Sequence, residues 1–450
     1  MRITSLDIRN FRGFENRHFD FDPRMTVVVG NNTTGKTTLL KAVQIALGAY
    51  LKSLKALPSS DRAYAMNFTL RDEFRKYNPE KKDFYPNPEN TRIDVRGEFF
   101  VTQSKYDEYQ TIPEQITWWR ELRGTKTTHS SGCAGQLISR VNDMEAKRAS
   151  DTPNVNAIYP LVLSFGVKRI DNDYRSANKK KQRESRIEKA YKSALLETID
   201  FKSAFDWLYR YDSQIAKDKE FKGTKEAFIN ALSDAIPAMS EVEIDSKNNE
   251  FLARIAVTGQ EPEYQTFENM SDGFKSIISI VAEIAYRCIE LNGFLGIDAI
   301  KKTPGIVIID EVDLYLHPRW QRHILADLQK AFPMIQFIVS SHSPFIIQSV
   351  ANKNIITLDG EKGPSDAYRR SIEEIAMSEM DMDTRRSAQF DEMIQKAEEY
   401  YQLVKNGEAN NEVTDDLKRR LDEIELEFSE DPAYVAMLKI ERSALNETGE

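Results

Sequence analysis

Residues 30–37 read Gly-Asn-Asn-Thr-Thr-Gly-Lys-Thr, a complete G-x-x-x-x-G-K-[ST] pattern. Its chemistry is that of holding a polyphosphate. Gly30 and Gly35 permit backbone angles that turn successive N–H groups inward on a β-phosphate. Lys36 is placed to reach the β- and γ-phosphates and the Thr37 hydroxyl to ligate Mg²⁺. Asn31, Asn32, Thr33 and Thr34 form the body of the cradle, and Thr38 continues it into a helix whose positive dipole end adds to the attraction. The flanks fit the motif. An apolar strand, Met25–Val29, runs into the loop, and Thr38–Val43 has helical character.

Two further stretches supply what a bound nucleotide needs for hydrolysis. Gly305–Ile309 is an apolar strand ending in Asp310-Glu311. Asp310, at the strand's end, can hold the Mg²⁺ shell opposite Thr37, and Glu311 points elsewhere as base or orienter of the attacking water. Ser340-Ser341-His342-Ser343-Pro344 follows a second apolar strand, Ile335–Val339. That puts His342 at the carboxyl edge of a sheet, where open α/β sheets bind ligands, and an imidazole there can contact the γ-phosphate. A fourth stretch, Met270–Ser276, opens the helix Ile277–Leu291, and by residue type Ser271 is its N-cap.

The elements that position these residues follow from periodicity. Ile3, Leu6 and Ile8, then Phe19 and Phe21, alternate as strands do, and Thr91–Thr102 returns to period two. Residues 103–155 read as irregular, Tyr159–Val167 as a buried strand, and 175–240 as charged helix with Ala204, Phe205, Trp207, Leu208 and Ile215 on one apolar face. Phe251–Val257 reads as a strand, Trp320–Ala331 as a helix and Ile355–Leu358 as a last strand. Alternating buried strands and helices predict an α/β fold. The expected division is 1–102 and 246–360 as the two parts of one ATPase head, 103–245 as an insertion that is mostly helical after 170, and 361–450 as a small helical appendage.

Bulk composition narrows the class. The 450 residues, 40% hydrophobic and 30% charged, suit a globular protein, and no apolar run reaches the ~18 residues of a membrane span. The N-terminus reads as a strand, not a signal peptide, and two cysteines, Cys133 and Cys288, make neither a disulfide framework nor a CxxC site. The expected location is the cytoplasm. Residues 361–450 hold 24 Asp+Glu against 12 Lys+Arg, a net of −12, which leaves +3 for the rest of a chain of net −9. Residues 168–192 carry ten Lys/Arg, including Lys179-Lys180-Lys181, and four Asp/Glu, a stretch that can track phosphates or form a solvated helix face.

In this order the phosphate loop, the Ser-Asp-Gly helix start, Ile-Ile-Asp-Glu and Ser-His-Ser-Pro resemble the ATP-binding-cassette ATPases of the chromosome-maintenance and RecF-like branch. Ile8-Arg9-Asn10-Phe11-Arg12-Gly13-Phe14 resembles that branch's opening strand and turn. The resemblance covers about 1–50 and 250–360. It implies an SMC-head-like phosphate-loop fold in which Met270–Lys275 is the signature motif, with Ser271 and Gly273 capping the γ-phosphate held by a second head. It also implies that Arg12 approaches the phosphates and that Asp313 lies in the loop crossing the head–head interface. The chain departs from the family pattern at Asp272, where Gly is usual, and at Phe274, where Gln is common. No single glutamine can be assigned to the loop that senses Mg²⁺ in that family, although Gln103 is read as following a strand. About 235 residues separate phosphate loop and signature, too many for a transporter cassette, yet without the sustained heptads of a coiled-coil arm.

A closer likeness rests on Asp310–Gln321, on Phe332–Pro344 and on the tail segment Asp431–Lys439. These are similar to a bacterial family of stand-alone ATPases that includes the ATPase subunits of Septu-type antiphage systems, the PtuA proteins. The overcoming-lysogeny ATPases carry a Toprim domain after the cassette. Here Asp381 and Asp383 follow Ser378-Glu379-Met380, which reads as no buried strand, and they are expected to be surface acids rather than a Toprim metal site. The likeness implies an ATP- and Mg²⁺-dependent ATPase that pairs heads in a homodimer or larger homo-oligomer and controls a separately encoded HNH-type nuclease. The alternative is a RecF- or SMC-like repair ATPase that clamps DNA, with residues 168–192 as its contact. His317, in the Leu-His-Pro turn, is expected to be structural or interfacial.

Overall fold

The computed structural model describes residues 1–31, 33–57, 66–86, 89–105, 108–149, 157–168, 185–211, 223–245, 247–248, 250–256, 261–358, 370–379 and 395. Residues 1–380 form one compact unit. Within it the chain opens with strands β1 (Arg2–Phe11), β2 (Phe14–Asp20) and β3 (Met25–Val29) and helix α1 (Lys36–Ser53). The strands β4 (Arg75–Asn78), β5 (Asp83–Pro86), β6 (Arg92–Lys105), β7 (Glu108–Arg123) and β8 (Lys126–Thr127) come next, then α2 (Ser131–Ala149) and β9 (Leu161–Phe165). Helices α3 (Arg186–Tyr191), α4 (Phe201–Arg210) and α5 (Thr224–Ala235) lead to β10 (Met239–Asp245), β11 (Glu250–Ile255) and β12 (Glu263–Thr266). The last part is α6 (Asp272–Asn292), β13 (Gly305–Ile309), α7 (Pro318–Gln321), α8 (Ile324–Ala331), β14 (Ile335–Ser340), α9 (Pro344–Gln348), β15 (Ile355–Thr357) and α10 (Ile372–Glu379).

Two five-stranded sheets organise the unit. One has the order β15-β3-β14-β13-β9 and every pairing in it is parallel. Its strands read Met-Thr-Val-Val-Val, Gly-Ile-Val-Ile-Ile, Ile-Gln-Phe-Ile-Val-Ser and Leu-Val-Leu-Ser-Phe, and β3, β13, β14 and β9 are buried at every position. Continuous apolar runs of this kind suit a parallel sheet covered on both faces. The other sheet, β2-β1-β6-β7-β8, is antiparallel and alternates, with Ile93, Val95, Ile116, Trp118 and Leu122 buried. This is the α/β architecture that the sequence leads one to expect, with a parallel sheet and an antiparallel sheet in one unit.

Helix α1 packs on β14 of the parallel sheet and on β6 and β7 of the antiparallel one. That explains why its buried positions run all round it, from Leu39 and Leu40 to Gln44 and Tyr50. Two side chains from β7 clasp it. Trp118 Nε1 donates to Ala46 O at 3.0 Å, and Arg120 Nη1 donates to Ile45 O at 2.9 Å and to Met66 O at 2.7 Å. Arg120 is fully buried, and burial lowers its pKa to about 10. The two sheets are also joined directly. Gln336 of β14 is fully buried, accepts from Ile3 N at 2.9 Å and donates to Ile3 O at 2.8 Å and Asp22 O at 2.9 Å.

Two expectations need correction. Residues 103–155 are not irregular: β6 extends to Lys105, β7 pairs with it along its whole length, and α2 follows. Period two in β7 is disguised because an arginine, Arg120, occupies an inward position. The helix expected over 320–331 is broken into α7 and α8 at Arg322-His323. Ile215 and most of the basic stretch, 169–184, lie outside the described residues, as do Asp381, Asp383 and the tail segment 431–439.

Replacing Gln336 by Leu orphans the bulged backbone of Ile3 between the sheets. The expected cost is about 1–3 kcal/mol per unsatisfied group, read as a lower urea midpoint than wild type.

Candidate nucleotide site

Parallel pairing brings the carboxyl ends of β3, β14, β13 and β9 to one edge. The chain leaves that edge as the phosphate loop after β3, as Ser341-His342 after β14, as Asp310-Glu311 after β13 and as Gly166 after β9. Because β14 lies between β3 and β13, its last residue stands between the loop and the two carboxylates.

The loop is wound as the motif requires. Gly35 has φ +108°, and a Cβ there would lie 2.8 Å from the Phe14 ring, so the turn needs glycine on both counts. Thr33 also has a positive φ, +77°, and the Thr34 hydroxyl donates to Asn31 O at 2.9 Å. Lys36 Nζ turns back onto the loop, donating to Gly30 O at 2.7 Å and Asn31 O at 2.9 Å. Thr37 Oγ1 donates to Asp310 Oδ2 at 3.3 Å, which joins residues 273 positions apart. Asn32 lies outside the described residues, and Thr38 sits in the first turn of α1.

Ser340 is the hub beside it. Fully buried, its hydroxyl donates to Asp310 Oδ1 at 2.5 Å and accepts from Glu311 N at 2.7 Å. Glu311 is in the left-handed region at φ +52°, a conformation that costs of order 1 kcal/mol in a non-glycine residue and re-aims its side chain away from Asp310. The network continues outward. Ser341 Oγ donates to Asp313 Oδ1 at 2.6 Å and accepts from Ser343 N at 2.9 Å, and Ser343 Oγ donates to Gln321 Oε1 at 2.6 Å. Gln321 Nε2 donates to Leu316 O at 2.9 Å and more weakly to Asp313 O at 3.3 Å. His342, half-buried, is thus carried between two anchored serines.

The Ser271 stretch is seated on the segment that follows Asp313. Ser271 is exposed and caps α6, its Oγ accepting from Phe274 N at 3.5 Å. Gly273 is buried, and a Cβ on it would come within 2.7 Å of Tyr315 O. Phe274 meets Trp320 edge to face, ring centroids 4.2 Å apart. The unusual phenylalanine therefore has a packing partner on α7.

Other expected residues fall elsewhere. Arg12, at φ +50°, donates through Nε to Asp72 Oδ1 at 2.7 Å, and Asp72 is buried. Gln103 does not follow a strand but lies inside β6, exposed and opposite Gln110. His317 caps α7, its Nδ1 accepting from Arg319 N at 3.2 Å ahead of Pro318. Sequence reasoning did not single out Ser340, Gln321 or Phe14. Ser340 carried a signal in its place between an apolar strand and His342, whereas Phe14 and Gln321 stood only within stretches that carry the family resemblance, with nothing to mark them individually.

For Mg²⁺ the donors are a hydroxyl and a carboxylate in contact, both oxygen. Two protein oxygens suit an ion that keeps waters and substrate phosphates for its remaining positions, so the pair fits.

A sheet edge that joins a phosphate loop to a hydroxyl–carboxylate pair and a second, diverging carboxylate defines a phosphate-loop ATPase. The chain belongs to the family described as "AAA domain, putative AbiEii toxin, Type IV TA system", which matches residues 25–348. It is 25% identical over 405 residues to the Retron Vc95 probable ATPase of Vibrio cholerae serotype O1 biovar El Tor, covering 79% of this chain and 73% of that one. The Retron Ec83 probable ATPase of Escherichia coli is 25% identical over 433 residues, 80% and 72% of the two chains. The Septu protein PtuA of Bacillus thuringiensis is 33% identical over 148 residues, 29% of this chain and 36% of that protein. Among solved structures, an SmcHead bound to the C-winged helix domain of ScpA aligns over 78% of this chain and 92% of that one, at 16% identity and a TM-score of 0.41. No helix among the described residues is long and apolar enough to cross a membrane.

Ser340→Ala removes the hydroxyl that Asp310 and the Glu311 N–H share. ATP turnover is expected to fall roughly 10–100-fold, as when groups that orient metal-holding carboxylates are lost. Steady-state phosphate release checks this, with circular dichroism as the control for folding.

Proposed function

We propose that this ATPase is a switch. Binding and hydrolysis of MgATP pair two heads and so control a separately encoded nuclease of an antiphage system. The observation that supports it most is the continuous set of contacts from Asp310 and Ser340 through Ser341, Asp313 and Gln321 to the 315–320 segment that seats Gly273 and Phe274. The residues proposed to act on one nucleotide are thereby held rigidly to an exposed serine that serves another.

In this reading the N–H groups of residues 30–38 and Lys36 hold the β- and γ-phosphates, Lys36 leaving the carbonyls of Gly30 and Asn31 to do so. Thr37 and Asp310 hold Mg²⁺, which neutralises charge on the phosphate oxygens. Glu311, turned away by its left-handed backbone, orients a water in line with the γ-phosphorus and accepts its proton as the bond to the bridging oxygen breaks and ADP leaves. His342 contacts the γ-phosphate. Ser271 and Gly273 of a second head cap it from the opposite side, and Asp313 lies in the loop that crosses between heads. Arg12 joins the site once it parts from Asp72. The relatives named as retron and Septu proteins support the defence setting. The nuclease comes from the likeness to the Septu family.

Glu311→Gln is expected to keep MgATP affinity within a few-fold and to slow turnover by about 10²–10⁴-fold, the usual contribution of a positioned base. It should also accumulate paired heads, seen as doubled mass by light scattering with ATP present. Wild-type turnover in that variant removes Glu311 from the role.

Ser271→Arg tests the pairing. The exposed site tolerates the side chain, so the fold and nucleotide binding by a single head are retained, while turnover falls to background. Pull-down of the tagged chain expressed with its native neighbouring genes, with and without ATP, tests the partner. A stoichiometric nuclease is expected, and a homo-oligomer alone would favour the DNA-clamp alternative.

A further inference from the structure

Among the described residues the β4–β5 hairpin forms a two-stranded sheet of its own. Its register sets Tyr77 opposite Phe84 and Lys76 opposite Tyr85. Opposite residues share a face, so Arg75, Tyr77 and Phe84 lie on one side of the ribbon and Lys76 and Tyr85 on the other. Tyr77 is 53% exposed, Phe84 58% and Tyr85 41%. The rings of Tyr77 and Phe84 touch, centroids 5.2 Å apart, and Lys81 Nζ lies 5.5 Å over Tyr85.

A cross-strand aromatic pair helps a lone hairpin keep its register, which accounts for one face. It does not account for Tyr85 on the other, nor for the charge. Residues 75–86 hold four Lys/Arg and two Asp/Glu in a chain of net −9, and Arg75, Lys81 and Lys82 are exposed. Aromatic rings interleaved with cations on a projecting ribbon match a polyanion with free π-faces. An acidic protein surface would use the cations and leave the rings idle, and in a duplex the bases are already stacked on one another.

We propose that the β4–β5 hairpin binds single-stranded nucleic acid, stacking unpaired bases on Tyr77, Phe84 and Tyr85 and meeting phosphates with Arg75, Lys81 and Lys82. The ribbon's root is tied to the nucleotide site. Phe74 N donates to Asn10 O at 3.0 Å, Arg12 N to Asp72 O at 2.8 Å, and Lys76 Nζ pairs with Glu15 at 2.6 Å. That clasped turn, residues 10–15, carries the Phe14 ring that lies against Gly35 of the phosphate loop. A strand held by the hairpin therefore shifts nucleotide affinity, and by reciprocity nucleotide shifts strand affinity. Neither effect rests on a nuclease partner.

The test uses the full chain alone and a fluorescein-labelled oligothymidylate, read by anisotropy, with the same label on a duplex as comparison. The wild type is expected to bind the single strand more tightly than the duplex, with affinity falling as salt rises. Tyr77→Ala/Phe84→Ala is expected to weaken it about tenfold or more while basal ATPase stays unchanged. The strand should also change the affinity for a fluorescent ATP analogue in the wild type and not in that variant. In case the variant loses its fold, photo-crosslinking of a 4-thiothymidine strand to the wild type gives a second reading, with label expected in the peptide spanning 75–86. Equal binding by the variant with label elsewhere overturns the site, and so does a preference for duplex. Loss of self-association in place of strand binding assigns the hairpin to a second copy of the chain and overturns the proposal. An unchanged nucleotide affinity overturns the coupling.

Discussion

The Ser340 hydroxyl is shared by the Asp310 carboxylate and the Glu311 N–H, and the site edge is organised around that sharing. Strand order makes it possible. With β14 between β3 and β13, a side chain at the end of β14 is the only one of that strand's that reaches sideways to the neighbouring strand's exit. With the hydroxyl's help Asp310 faces Thr37, and the chain at Glu311 can take up a left-handed turn that separates the two carboxylates. Two adjacent carboxylates on an ordinary extended strand would also diverge, but nothing would fix by how much. A buried hydrogen bond with both partners satisfied fixes direction at little net cost, whereas leaving the amide unpaired would cost about 1–3 kcal/mol.

The loop opposite is held by a different means. Helix α1 is buried along most of its length, because it lies between two sheets and is clasped by Trp118 and Arg120. A buried guanidinium is expensive to desolvate, and here Nη1 and Nη2 donate to carbonyls and an amide oxygen rather than to a carboxylate, while Nε is left without a hydrogen-bond partner. The antiparallel sheet thus acts as the mount for the phosphate-loop helix. Its first turn supplies Phe14, which closes over Gly35. A displacement of that turn and a displacement of the loop cannot be independent.

Much of this was legible in the sequence, and what was not shares a cause. The strand Met25–Val29 has the predicted bounds, and β13, β14 and α6 lie where continuous apolar runs placed them. Phosphate loop, Asp310, Glu311 and His342 could be found because each follows a strand whose pattern is local. Strand β7 was missed because its inward Arg120 is stabilised by carbonyls 54 and 75 residues away, and no local pattern announces such partners. The same holds for Arg12 and Asp72, 60 residues apart, and for Gln336 and Ile3, 333 apart. Nor does chain order reveal that β14 lies between β3 and β13, which is what makes Ser340 a hub.

The helix that carries Ser271 is tied along its length as well as at its start. Glu283 and Arg287 pair inside α6, both nearly inaccessible, at 2.7 Å. Burial pushes the Glu283 carboxyl above its ordinary range while Arg287 draws it back. Such a pair adds little net stability over an apolar one, so its spare hydrogen bonds are the informative part. Arg287 Nη1 donates to Ala190 O and Lys192 O, and Glu283 Oε2 accepts from Asp200 N. Between those anchors Glu197 accepts from Gln44 of α1, at 2.6 Å, and bridges to Phe165 at the end of β9. The segment 190–200 is therefore fastened at once to α6, to α1 and to the edge of the parallel sheet. With its first turn packed on Tyr315 and Trp320 and its middle held by this strap, α6 could not shift Ser271 by itself without breaking these contacts. In the pairing proposed above, an approach of that serine to a second phosphate loop would therefore carry these packed elements with it.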